Sequence, residues 1–498
     1  MVRISEINSQ NPWWSQGEAF VQYDKTLERA RPIFFGRRRI NLEKGDIAIL
    51  RGPRQVGKTT YIKDTVIRLL KKGVPARNIL YLSLDFFTSR REMRNAINYF
   101  RESRRDASHI YLLLDEITTL EDWNLELKTM ADLGLLKKGS ILATGSNAIK
   151  LKQKTELLPG RGLEGNEYFV KPLNFRDFVL RSIDYLSQHI SDKEFVSNLK
   201  RLQLALSDVS IDLNSDLKEM LSKFETILPY KGELGFLFQL YLTTGGLPGV
   251  VNHYLKNRFE AHKDEMNQSI AEIYIRDILG DLNRLQKQES ITRQLLKAII
   301  ERYSSRYSFS KLSRQIERTH VTTIDYLQYM EDSFICFVHY AYDFNKKDVK
   351  AKGDKKVYFF DPFILHTARS YLEGTGVWDV IRKSQDDDRS IGKLVEGTVI
   401  SHLRSYGEIP LLKKGHTFLW FYYDKSKKEL DAIMKSNSQI LGFEIKFQSQ
   451  VESKTIKRID PVKKCILLTK DNVGIEDDLI MIPTDVFLSL LPKSDKNL

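Results

Sequence analysis

Cysteine is almost absent from this chain. Its 498 residues include two, Cys336 and Cys465, far apart in sequence. Neither a disulfide framework nor a cysteine-based zinc site can be built from such a pair, and a reducing interior fits. Long apolar runs are missing too. No stretch reaches the ~18 apolar residues of a membrane span. The opening MVRISEINSQNPWWSQ has no apolar signal core. There is no internal repeat and little low-complexity sequence. A soluble, cytoplasmic protein with no membrane partner is therefore expected. Acidic charge is in deficit, with 65 Asp and Glu against 78 Lys and Arg, a formal net charge of +13. That surplus favours a polyanion, nucleic acid ahead of an acidic membrane surface. A well-solvated surface is the plain alternative.

What is present reads as an α/β chain of several domains, since its length exceeds what one hydrophobic core organises. Residues 1–45 form a polar lead-in spotted with aromatics. Residues 46–170 alternate the apolar strands IAILRG, NILYLSLD, IYLLLDE and SILATGS with helix-period stretches. Such runs suggest a parallel sheet covered on both faces, the core of a P-loop NTPase. Residues 171–285 are mainly helical, interrupted by Thr244-Gly245-Gly246-Leu247-Pro248-Gly249, and read as a helical lid. Residues 286–350 read as a small helical module followed by a hairpin. From 351 to 498 a further α/β domain is expected. It has a strand in KKVYFFDPF, a solvated loop in SQDDDRS and a helix from about Ile391. Three strands follow between Phe418 and Phe447, then one at Cys465–Thr469.

The sharpest motif is Gly52-Pro53-Arg54-Gln55-Val56-Gly57-Lys58-Thr59, which fits G-x-x-x-x-G-K-[ST] between a strand and a helix. Its glycines let backbone N–H groups turn inward around phosphates, and the helix N-terminus adds its positive dipole end. Gly52, Gln55, Val56, Gly57, Lys58, Thr59 and Thr60 are the expected nucleotide contacts. Lys58 reaches the β- and γ-phosphates and Thr59 holds Mg²⁺. Asp115, at the end of YLLLDE, completes the Mg²⁺ shell, and Glu116 polarises the attacking water. A helix N-cap is the plainer reading of that carboxylate pair. Asn147, after LATGS, is a candidate γ-phosphate contact, or a turn residue. Arg161 in LPGRG is a candidate arginine finger. If it acts in a neighbouring subunit, the protein is a homo-oligomer; a surface arginine in a Gly-rich loop is equally consistent. Asn345-Lys346-Lys347-Asp348 spells a guanine-reading motif, but it lies in the turn of a hairpin, so ATP is preferred to GTP.

FSKLSRQIERTHVTTIDYLQYMEDSFI has winged-helix texture. Ile324, Leu327, Tyr329 and Met330 are set to pack in its second helix. Asp325, Glu331 and Asp332 are placed on the exposed face, where DNA phosphate would repel them. DNA contact and inter-domain packing are both open here. Farther on, Asp431 lies in ELDAIM, and Glu444 and Lys446 lie in GFEIKF. A turn centred on Asn437 and Ser438 would set Asp431 opposite Glu444, with Lys446 on the same face. The helix GKLVEGTVISHL could add Glu396. Carboxylates so placed hold Mg²⁺ or Mn²⁺, with Asp431 and Glu444 as ligands, and Lys446 orients water. Routine cross-strand Glu–Lys pairing on an edge hairpin is the bland alternative.

In order, NPWW, ILRGPRQVGKTT, YLLLDE, LATGSN, LPGR, KPLNFRDF, TTGGLP and IYIRDI resemble an archaeal-type P-loop ATPase family related to AAA+ proteins. Its members carry a winged-helix segment and a carboxyl-terminal domain of the PD-(D/E)XK nuclease superfamily. The resemblance covers nearly the whole chain. It implies a winged-helix-like module at 286–350 and a restriction-endonuclease-like domain at 351–498. It also implies an ATPase site at Lys58, Thr59, Asp115 and Glu116, and a nuclease motif at Glu396, Asp431, Glu444 and Lys446. The expected activity is that of an ATP-dependent DNA-processing enzyme: an oligomeric ATPase, a hexamer among the options, coupled to a metal-dependent deoxyribonuclease. The alternative is a nucleotide-dependent switch for a protein partner, with an inactive nuclease-like fold as its binding module. The family usually has Ser or Thr where Asn147 stands, and the helical stretch 180–235 is longer than the resemblance leads one to expect.

Overall fold

The computed structural model describes residues 4–134, 136–145, 166–280, 282, 287–407, 418–425, 428–436, 439–451, 459, 462 and 464–492. The chain divides into two compact units, Met1–Lys171 and Pro172–Ser494.

The first unit is built on a parallel sheet of β1 (Ile47–Arg51), β2 (Ile79–Ser83), β3 (Ile110–Asp115), β4 (Gly139–Thr144) and β5 (Glu167–Phe169), in the order β2-β3-β4-β1-β5. The first four are the four apolar runs; β5 is too short to stand out as one. β1 and β4 are buried along their whole length, as expected of strands covered on both faces. Ile49, Leu82 and Leu114 pack on one face with Met93 and Ile97 of the helix Arg90–Glu102. Leu50 and Leu113 pack on the other with Ile62 and Val66 of the helix Lys58–Lys71.

The first residues serve this sheet directly. β2 is an edge strand, and an edge leaves backbone groups that need partners. The Asn11 side chain accepts from Tyr81 N–H at 2.7 Å and donates to Tyr81 O at 2.9 Å. The indole N–H groups of Trp13 and Trp14 both donate to Ile79 O, at 3.1 and 2.8 Å. Gln10 Oε1 accepts from Ser83 N–H at 2.7 Å. The NPWW segment thus stands where a sixth strand would pair.

The second unit begins with helices. Three of them, Glu289–Glu301, Phe309–Gln315 and His320–Asp332, precede an antiparallel pair, β6 (Cys336–Tyr340) and β9 (Lys355–Phe359). The tip of this hairpin pairs β7 (Tyr342–Asp343) with β8 (Asp348–Val349), so Asn345, Lys346 and Lys347 lie in the turn and Asp348 opens β8. A mixed sheet follows: β10 (Leu419–Tyr423), β11 (Glu429–Ser436), β12 (Gln439–Ile445), β13 (Lys464–Thr469), β14 (Gly474–Glu476) and β15 (Leu479–Pro483). Its order is β10-β11-β12-β13-β15-β14.

Three sequence expectations change here. SQDDDRS is not an open loop: the helices Val377–Asp386 and Asp388–Gly407 meet there. Asp387 accepts from Ser390 N–H at 2.8 Å, an N-terminal cap that starts the second helix three residues early. Ile324 does not pack; it is exposed, as is Val321. Glu331 is not on a free acidic face, because Arg404 bonds it at 2.6 Å within the unit.

The Gly245-Gly246 break between helices Lys231–Thr244 and Pro248–Leu255 has a steric cause. Gly245 has φ +60°, and a Cβ there would lie 1.9 Å from Asp361 Oδ1. Asp361 accepts from the N–H groups of Gly246 at 2.7 Å and Phe363 at 2.8 Å. No single described helix is long and apolar enough to cross a membrane.

Candidate nucleotide site and a second buried cluster

β1 ends at Arg51, and the chain turns through Gly52–Gly57 into the helix Lys58–Lys71. Gly52 must be glycine, since a Cβ would sit 2.0 Å from Val170 O. Gly57 takes φ +92°, which aims the following N–H groups into the loop, and Gln55 takes φ +58°. Val56 is buried beneath the loop. Lys58 Nζ donates to Gly52 O at 3.0 Å and Pro53 O at 2.7 Å, so the ammonium lies over the loop. Arg37 clamps the same loop from the lead-in, donating to Val56 O at 2.9 Å and Lys171 O at 2.8 Å. Nothing in the sequence marks Arg37 for this role.

Asp115 ends β3 and is buried. Burial pushes its carboxyl up to about 6, opposed by hydrogen bonds from Thr59 and Tyr81. Glu116 follows in the left-handed region at φ 55°, a turn that separates its side chain from the strand. At the end of β4 the Thr144 hydroxyl is buried with no hydrogen-bond partner among the described residues. Gly145 is required because a Cβ would meet Thr118 at 2.6 Å. Asn147 and Arg161 lie outside the described residues.

The second unit brings together a different set. The β11–β12 register runs Ser436↔Gln439 to Ala432↔Phe443. One step further sets Asp431 opposite Glu444, as the expected turn requires. Asp431 Oδ2 accepts from Ile445 N–H at 3.0 Å. Lys446 Nζ lies 2.7 Å from Glu444 Oε1. Glu396 arrives from the helix Asp388–Gly407.

Lys356, on β9, joins them, and no motif in the sequence points to it. Its ammonium lies 3.2 Å from Glu396, 3.0 Å from Glu429 and 3.0 Å from Asp431, and the side chain is 3% exposed. Burial opposes its charge, but the three carboxylates win and hold its pKa well above the usual value. Burial would raise Asp431, but Lys356 and Lys446 hold it below the usual range. Glu444 is pushed up to about 7 by burial and by the neighbouring Asp431 charge. Its Oε2 is buried with no hydrogen-bond partner among the described residues.

Residues 44–179 match the AAA domain family. The first unit carries an AAA-type P-loop domain. Residues 235–374 and 391–485 of the second unit match two domains of unknown function, DUF8612 and DUF4143. A protein of Haemophilus influenzae, described as uncharacterized, is 30% identical over 137 residues, which are 27% of this chain and 33% of that protein. The chain therefore spans about a third of the length of that curated relative. Among solved structures, a RuvB variant of Thermotoga maritima aligns over 70% of this chain and 93% of its own, at 14% identity and TM-score 0.27. A replication initiator DnaA bound to AMPPCP and single-stranded DNA aligns over 63% and 88%, at 18% identity and TM-score 0.23.

The AAA-type domain has the donors that a nucleotide with Mg²⁺ requires. Lys58 and the N–H groups after Gly57 face the loop, and Thr59 is near enough to Asp115 to lower its pKa, so the two offer a pair of hard oxygen donors. The carboxylate cluster does not fit a divalent ion as it stands, because Lys356 is already among its oxygens. Among the described residues, no group of three or more His, Cys, Asp or Glu is arranged to hold a metal.

Proposed function

We propose that this protein binds ATP with Mg²⁺ in its AAA-type domain, hydrolyses it, and uses the cycle as a switch that changes how its second unit engages a partner. The observation that carries this reading is the convergence of Lys58, Thr59 and Asp115 at the loop after β1. Lys58 and the loop N–H groups bind the phosphates. Mg²⁺ bound by Thr59 and Asp115 supplies charge neutralisation during transfer of the γ-phosphoryl group. Glu116 accepts a proton from the attacking water. The test is nucleotide binding and phosphate release by wild type and Lys58→Ala. Binding at micromolar ATP, lost in the variant, supports the reading; equal binding by both sinks it.

In this proposal the second unit is a binding module on a nuclease-like sheet, preceded by a winged-helix-like module. The outward face of the helix His320–Asp332 offers Val321, Ile324 and Asp325, a poor surface for phosphate and a better one for protein. The net charge of +13 speaks instead for DNA as the partner in the reading that follows.

A second reading keeps the metal-dependent deoxyribonuclease, and requires Lys356 to leave Asp431 so that Mg²⁺ or Mn²⁺ can be held by Asp431 and Glu444. It is favoured by the placement of Glu396, Asp431, Glu444 and Lys446 around one spot. Incubation with single-stranded, duplex, flapped and four-way DNAs separates the two. Cleavage that Asp431→Ala abolishes selects the nuclease. A homo-oligomer, as an Arg161 finger acting between subunits requires, is checked by light scattering with and without ATP.

A further inference from the structure

We propose that Lys356 is the resident cation of the Asp431 cluster and closes it to divalent metal. The inference concerns the same cluster as the binding module above, but it rests only on the ion-pair geometry.

Three carboxylates from two elements converge on one ammonium: Glu396 from a helix, and Glu429 and Asp431 from one face of β11. Every oxygen of the three has a partner. Glu396 Oε1 also accepts from Tyr358 at 2.5 Å, and its Oε2 accepts from Ser304 at 2.8 Å. Glu429 Oε2 pairs with Arg306 at 3.2 Å. Asp431 Oδ2 is taken by Ile445 N–H. A divalent ion needs several of these same oxygens at about 2.0–2.6 Å. It cannot share them with an ammonium that already touches all three groups, because two cations at that spacing in a buried site repel strongly.

The ammonium is not free to swing away. Lys356 sits mid-strand, paired with His339 in the β6–β9 ladder, and its Nζ lies 5.7 Å from the centre of the Phe421 ring. Lys446 does a different job: it pairs with Glu444 on the partly open side of the cluster. The cluster therefore holds two lysines in distinct roles. The motif read from Asp431, Glu444 and Lys446 sees only the second.

The test uses the full chain without nucleotide and reads bound Mn²⁺ by electron paramagnetic resonance. Wild type and Asp431→Asn should bind the same amount of Mn²⁺. Lys356→Met should gain one site per chain, and Lys356→Met combined with Asp431→Asn should lose it. Circular dichroism reports whether each variant is folded. Mn²⁺ bound by wild type and lost in Asp431→Asn overturns the proposal, and this comparison decides even where Lys356→Met fails to fold. A folded Lys356→Met that gains no site overturns it too. Because the readout is metal and not product, the result is separate from whether the second unit cuts DNA.

Discussion

The Tyr81 hydroxyl donates to Asp115 Oδ2 at 3.1 Å. Tyr81 is also the residue whose backbone Asn11 grips from the NPWW segment, and its ring lies 4.2 Å from the Lys63 ammonium. The lead-in, the edge strand and the Asp115 carboxylate are therefore one connected structure. A hydrogen bond to the ionised form of Asp115 favours that form, against the burial that raises its pKa to about 6. Tyr81→Phe removes the bond, so Asp115 holds its proton to higher pH. Mg²⁺ needs the ionised form. The acid limb of ATP hydrolysis should fall below about pH 6 in wild type and move up by about one unit in Tyr81→Phe. The profile to follow is that of kcat/KM, which reports the nucleotide-free enzyme; an unmoved limb there leaves Tyr81 as packing alone.

Asn11 gives a second prediction. Its amide satisfies both backbone groups of Tyr81 and donates to Ile7 O at 2.8 Å, all out of water. Asn11→Ala leaves a buried N–H and C=O unpaired, at a cost of about 1–3 kcal/mol. In thermal unfolding the transition of the first unit should shift several degrees lower, and that of the second should stay in place. Ser9→Ala, which loses one exposed hydroxyl bond, should move neither.

These two residues illustrate what the sequence could and could not disclose. The loop Gly52–Thr59 and the strand end at Asp115 were legible because their chemistry requires contiguous residues at fixed spacing. So was the Asp431–Glu444 register, which follows from strand alternation across a short turn. Lys356 and Tyr81 were not legible. Each reaches its site from another strand, 75 residues before Asp431 and 34 before Asp115. No local periodicity encodes such a meeting. Trp13 and Trp14 belong to a recognisable motif, but their role was not legible because their partner is backbone, Ile79 O, which leaves no mark in residue types.

Gly246 tests the reading of the helix break in the second unit. A Cβ would lie 2.0 Å from Leu173 O and 2.6 Å from Leu173 N, both backbone atoms that cannot swing aside. Gly246→Ala should destabilise the second unit by about 3 kcal/mol, from overpacking and loss of the bond to Asp361. At Gly232, in the helix Lys231–Thr244, an added Cβ would have nothing within 4 Å. Gly232→Ala should be neutral or stabilising by up to ~1 kcal/mol. Urea unfolding of the two variants side by side measures the contrast. Equal effects would mean that the glycine pair is not set by close approach.

Glu444 gives a pH prediction whose sign follows from its burial. Its folded pKa of about 7 lies above the ordinary 4.5, so the folded state holds the proton more tightly than the unfolded chain. Stability from this group is complete below about pH 4.5 and is lost as pH rises through about 7. Glu444→Gln cannot ionise. It should lose less stability than wild type between about pH 5 and pH 8, with the two curves diverging across that window. The difference arises because ionised Glu444 keeps one buried oxygen without a partner among the described residues, and the Lys446 ammonium at 2.7 Å from the other only partly offsets the Asp431 charge. Chemical denaturation at four pH values across that window reads it out. Parallel curves for the two proteins would show that Glu444 is ionised throughout, and that Lys446 neutralises it fully.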